Sequence, residues 1–192
     1  MTIVRLATRA DEPALMQICR ELHKENGLFE MHDDMVREML DRAFDRKGGI
    51  VGVIDGEKMI EAVLFMIIST FWYSRDNHLE ELFSYVRPAA RKSNHAASLI
   101  GFAKECSDKI GIPLVIGVLT NTRMETKVRL YRRKLGMPAG AFFVYGGNYV
   151  NDTRNDEIWR THSRGRNKAN GASPHAMMTT APLPMLPLAP MN

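Results

Sequence analysis

Residues 86–99, VRPAARKSNHAASL, join a β-type run ending at Val86 to an amphipathic helix, and the reading of this join decides the fold. Pro88 interrupts the strand pattern. Two cations, Arg91 and Lys92, then stand beside two short polar residues, Ser93 and Asn94, with no glycine in the turn. A helix beginning near Asn94 leaves its first N–H groups unpaired and carries a partial positive charge there, which suits an anion. Arg91 and Lys92 add full charges, Ser93 and Asn94 can cap the turn or donate to phosphate oxygens, and Ala96 keeps the approach narrow. Two readings stand at this point: a solvated basic turn with a Ser or Asn cap, and a phosphate cradle built without glycine.

Periodicity on either side supplies the frame. Residues 3–6 read as a short strand, and Asp11, Glu12 and Pro13 start a helix whose Leu15, Ile18, Cys19 and Leu22 share one face. A second helix covers 33–45, with Met35, Met39 and Leu40, and ends before Gly48 and Gly49. Residues 50–54, the turn Asp55-Gly56 and residues 59–68 form a hairpin signal. Phe71, Trp72 and Tyr73 open a loop, and 79–86 is the next strand. Beyond the join, Ala96, Leu99, Ile100 and Ala103 continue at helical spacing to Ile110, with Gly111 and Pro113 as the stop. Residues 114–118 are a short buried strand. Residues 121–135 are a helix with Met124, Val128, Tyr131 and Leu135 on one stripe, ended by Gly136, and 141–145 is a closing strand. The order β-α-α-β-β-β-α-β-α-β is that of a mixed α/β sheet.

The chain has 192 residues, 45% hydrophobic and 25% charged, which suits one globular domain with a remainder. No apolar run reaches the roughly 18 residues that cross a bilayer. The first residues show no export signal, and Cys19 and Cys106 read as buried thiols, so a cytoplasmic setting is expected. The net charge is only +4, and half of that excess lies in the piece holding Arg154, Arg160, Arg164, Arg166 and Lys168 against Asp152, Asp156 and Glu157. The main domain therefore lacks the charge of a nucleic-acid-binding face, and only the tail keeps a weak claim to one. Periodicity ends near residue 150: residues 1–150 are read as the domain, and 151–192 as a basic then Pro/Met-rich disordered tail or docking peptide. No Cys/His/Asp spacing suggests a metal.

The join resembles motif A of the Gcn5-related N-acetyltransferase (GNAT) superfamily, [RQ]-x-x-G-x-[GA] opening a helix after a strand ending V-x-P. Val86-Arg87-Pro88 supplies the strand end, Arg91 and Ala96 match, and Asn94 replaces the central glycine. Asn94 must therefore either adopt glycine-like backbone angles, which asparagine tolerates best among other residues, or reshape the turn. The run from Asn121 through Tyr131 to Gly136 and Met137 resembles motif B, with Met137 in place of phenylalanine. The resemblance covers about residues 2–147. It implies a mixed, mostly antiparallel sheet of six to seven strands flanked by about four helices.

It also implies an acetyl-CoA-dependent N-acetyltransferase acting by direct transfer on a primary amine of a small molecule or protein. Acetyl-CoA would lie against Tyr85 and Val86 at the strand end, against Arg91, Lys92, Ser93, Asn94, His95 and Ala96, and against Asn121. The base in such enzymes is often a glutamate of the fourth strand near a bulge. Here Glu80 and Glu81 are the candidates; Glu80 is preferred on its spacing to Arg91, although a bulge would exchange the faces of the two. Tyr131 matches the general acid for the leaving thiol, and a core tyrosine is its plain alternative. His78 and His95 are weaker candidates for proton transfer. Phe71, Trp72 and Tyr73 could floor an acceptor site or pack in the core. The competing reading is a non-catalytic acyl-CoA-binding or partner-recruiting protein of this fold, with a homodimer or a protein partner docked by the tail compatible with either.

Overall fold

The computed structural model describes residues 2–27, 29–120 and 123–140, all within one compact unit, Met1–Asp152. The expected closing strand at 141–145, the domain end near 150 and the tail lie outside the described residues, as does Asn121. The elements follow the expected order. Strand β1 (Arg5–Leu6) leads through a 3-10 turn into α1 (Glu12–Asn26) and α2 (Asp33–Phe44). Strands β2 (Gly49–Asp55), β3 (Ile60–Thr70) and β4 (Asn77–Val86) come next, then α3 (His95–Ile110), β5 (Leu114–Val115) and α4 (Met124–Leu135).

The sheet order is β1-β2-β3-β4-β5, antiparallel throughout except for the parallel pair β4/β5. Five strands are thus present among the described residues. Alternation along β2 and β3 sends Val51, Val53, Val63 and Phe65 to one face, where Leu15, Met16 and Ile18 of α1 and Leu40 of α2 cover them. Ile54, Ala62, Leu64 and Met66 go to the other, against Leu99 and Ala103 of α3. Both sheet faces are therefore buried, which explains why β3 reads as a nearly continuous apolar run. Cys19 is buried and Cys106 half-buried, both as free thiols.

Helix α3 ends where Gly111 takes a left-handed conformation (φ 77°, ψ 28°) and returns its N–H to the Ser107 carbonyl at 2.8 Å. Gly52 serves a different need. A Cβ there would stand 2.5 Å from Cε1 of Phe102, so the bare backbone lets α3 lie close on β2. Gly52→Ala is expected to cost about 1–3 kcal/mol through overpacking, measured as a lower urea midpoint at unchanged slope.

Two features of the sheet create the site. Strand β5 pairs with β4 only at Leu79↔Leu114 and Glu80↔Val115, so the two strands part beyond Glu80. The apolar residues expected to extend β5 to 118 are freed from the ladder, and Ile116 lines the resulting gap. In β4 the register with β3 runs from Phe65↔Phe83 directly to Met66↔Glu81, leaving Leu82 as a bulge.

Candidate functional site

The bulge decides which glutamate enters the gap. Leu79 and Glu81 lie on the α3 face. A regular strand would turn Ser84 to the opposite face, but the extra residue Leu82 restores Ser84 and Val86 to the same one. Glu80 pairs with Ile67 and points to the α1/α2 face, where its carboxylate is 3.6 Å from His78 Nε2. Glu81, not Glu80, therefore lines the cleft.

That cleft, of about 140 Å³, is bounded by β4 and Ile116, the start of α3, and α4. Tyr131 projects into it from α4. Its hydroxyl donates to Glu81 Oε1 at 3.2 Å and lies 3.1 Å from Ser84 Oγ, which also bonds to Glu81. Burial raises the Glu81 pKa above the usual carboxylate range, against the pull of Ser84, Lys127 and Tyr131. Burial first, and the neighbouring Glu81 charge second, push the Tyr131 phenol up, so it stays protonated through neutral pH. A buried carboxyl that binds its proton tightly and a phenol that holds its own thus share one hydrogen-bond chain. Such an arrangement can accept a proton at one end and deliver one at the other.

The floor of the cleft is the join. A 3-10 turn, Pro88–Ala90, carries the chain from β4, and Ser93 Oγ accepts the His95 N–H at 3.2 Å, ahead of the first turn of α3. Asn94 has φ −86° and ψ 10°, so it sits in the turn without a left-handed backbone. Ala96 and Ser93 line the cleft, and the first-turn N–H groups of Ala96 and Ala97 have no acceptor within the helix. Tyr85 and Val86 line it as well.

Arg91 faces the cleft, but its guanidinium is committed. It donates to the Val86 carbonyl at 2.9 Å, pairs with Glu25 of α1 and lies over the Tyr85 ring. Lys92 and Asn94 are exposed and do not line the cleft. The His95 ring is buried away from it, with Nε2 2.7 Å from Glu61 Oε2 on β3. His78 is also outside, stacked on Phe71 at 4.4 Å. Phe71, Trp72 and Tyr73 are 44%, 95% and 70% exposed, so they are not core residues; they form a small stack at the β3–β4 connection.

Two cleft residues escape a reading by motif. Arg123, the residue before α4, takes a left-handed conformation (φ 56°) and has no ion-pair partner among the described residues. Lys127 lies one turn before Tyr131, and its place was legible in the i,i+4 spacing from that tyrosine. Among the described residues no group of three or more His, Cys, Asp or Glu could hold a metal ion, and no helix is long and apolar enough to cross a membrane.

No family model and no curated protein matches the sequence. Solved structures do match. An aminoglycoside 6′-N-acetyltransferase from Acinetobacter haemolyticus aligns with 78% of this chain and 99% of its own, at a TM-score of 0.57 and 14% identity. A GNAT family acetyltransferase from Staphylococcus aureus aligns with 76% and 99%, at a TM-score of 0.53 and 15% identity. A predicted acetyltransferase from Clostridium acetobutylicum, solved with acetyl-CoA, aligns with 76% and 96%, at a TM-score of 0.61 and 14% identity. At such identities the likeness is one of fold. The mixed sheet and these neighbours agree: the chain has the GNAT acetyltransferase fold.

Proposed function

We propose that the protein is an acetyl-CoA-dependent N-acetyltransferase that moves the acetyl group directly to a primary amine of a small molecule or protein, in a cytoplasmic setting. The observation that carries this reading is the Glu81–Tyr131–Ser84 chain, set where β4 parts from β5 and beside the start of α3. Tyr85, Val86 and Ile116 offer an apolar and backbone-lined channel for the pantetheine arm. Ser93, Ala96 and the first-turn N–H groups of α3 are suited to the pyrophosphate, with Arg123 as a nearby cation that has no ion-pair partner among the described residues. Arg91 braces the turn through Val86 and Glu25, and its charge is shared with that carboxylate.

In the transfer, Glu81 takes the proton of the incoming ammonium and the freed amine attacks the thioester carbonyl. The C–N bond forms, the C–S bond breaks, and Tyr131 delivers a proton to the departing sulfur. Glu81 then returns its proton to Tyr131 along their existing hydrogen bond, and the second proton that the attacking nitrogen sheds in becoming an amide is released to solvent. Release of free coenzyme A thiol against a panel of primary amines tests this directly. Amine-dependent release is expected, and acetyl-CoA binding with no release against any amine would favour the non-catalytic reading.

The anion site can be tested by charge. Ser93→Asp keeps an acceptor for the His95 N–H and puts a favourable acid near a helix N-terminus. Stability should hold or rise, while acetyl-CoA affinity falls about tenfold or more, about 1.4 kcal/mol. Calorimetry and thermal melting read the two effects separately.

A further inference from the structure

The cleft already contains an amine of its own. Lys127 of α4 lines it together with Glu81, Ser84 and Tyr131. Spacing of i,i+4 puts Lys127 and Tyr131 on one helix face, about 5–6 Å apart at Cβ. Among the described residues Nζ of Lys127 makes no hydrogen bond and no ion pair within 4 Å. Three charged groups from other elements face it: Glu81 of β4, Glu25 of α1 and Arg91 of the join. Burial is the main influence on its ammonium and pushes the pKa below the usual lysine range, which enlarges the neutral, nucleophilic fraction near neutral pH. Lys92 and Lys134, by contrast, are exposed.

We propose that Lys127 is an acyl acceptor within its own cleft, so that bound acetyl-CoA acetylates Nζ of the same chain. This inference rests on the acetyl-CoA reading above. The neutral amine attacks the thioester carbonyl; the C–N bond forms, the C–S bond breaks, and the electron pair leaves on sulfur. One proton lost from Nζ passes through Glu81 and Tyr131 to that sulfur, so lysine and acetyl-CoA become acetyl-lysine and coenzyme A thiol with nothing left over. The product is an uncharged amide that takes a cation out of the cleft and fills part of it. The reaction is therefore limited to one equivalent per chain and acts as a brake on further turnover.

The test uses the full chain with acetyl-CoA as the probe, followed by intact mass and peptide mapping. One acetyl group at Lys127, present at purification or gained on incubation, is expected. Its rate of appearance should be first order and independent of protein concentration over about a hundredfold range. It should vanish in Lys127→Arg and slow at least tenfold in Tyr131→Phe, with labelling of Lys92 and Lys134 unchanged. Labelling of Lys127 no faster than at those exposed lysines, or faster at higher protein concentration, would overturn the proposal. Calorimetry separates the two failures: acetyl-CoA that binds without modifying Lys127 sinks this inference alone, whereas acetyl-CoA that does not bind removes the functional reading beneath it.

Discussion

Glu81→Gln is expected to lower kcat/KM for acetyl transfer by about 10²- to 10⁴-fold, the usual worth of a positioned general base, with acetyl-CoA affinity nearly unchanged. Glutamine is close to isosteric and can still accept the Tyr131 hydroxyl, so the loss isolates the base. The pH profile gives an independent reading. Burial raises the Glu81 pKa, so the acidic limb of kcat/KM should sit above the ordinary carboxylate range and disappear in the variant. Stability should move the opposite way. Above its unfolded pKa the folded carboxyl holds a proton that the unfolded chain has released, so its contribution to stability falls as pH rises toward the folded pKa. The melting temperature of Glu81→Gln relative to the native protein should therefore rise with pH across that window. A variant that is both inactive and less stable at every pH would mark Glu81 as structural.

Tyr131→Phe is expected to reduce turnover about a hundredfold or more by removing the proton donor to the leaving thiol. The ring remains, and with it the packing of α4, while the bonds to Glu81 and Ser84 are lost. A role in packing and a role as acid separate on the leaving group. With a more acidic thiol in the donor, departure needs less protonation, so the deficit of the variant should shrink. An equal deficit for every thioester would contradict the assignment. Acetyl-CoA affinity should change little in either case.

Much of this arrangement was legible in the sequence because it rests on strong local signals. Gly111 and Pro113 end α3 by the chemistry of a left-handed cap, and Asp55-Gly56 marks the β2–β3 turn. The apolar stripe of Met124, Val128, Tyr131 and Leu135 places α4 and its tyrosine. The bulge at Leu82 had no such signal. His78-Leu-Glu-Glu-Leu-Phe-Ser-Tyr-Val86 holds neither glycine nor proline, and the extra residue is set by pairing with β3, a partner distant in sequence. Strand parity alone therefore could not say which of Glu80 and Glu81 enters the cleft. The direction of the His95 ring depended in the same way on Glu61 of β3, and the commitment of Arg91 on Glu25 of α1. Asn94 illustrates a third kind of limit: its letter does not fix its backbone, which takes φ −86° and ψ 10° after the 3-10 turn Pro88–Ala90.

Every step proposed above requires that the cleft between β4 and α4, at the start of α3, receives acetyl-CoA. Calorimetric titration of the full chain with acetyl-CoA measures this without any knowledge of the acceptor. One site per chain is expected, with a dissociation constant at or below tens of micromolar, about −6 to −7 kcal/mol or stronger, weakened by Ser93→Asp and preserved in Glu81→Gln. No heat of binding across that range, or binding unaltered by Ser93→Asp, would contradict it.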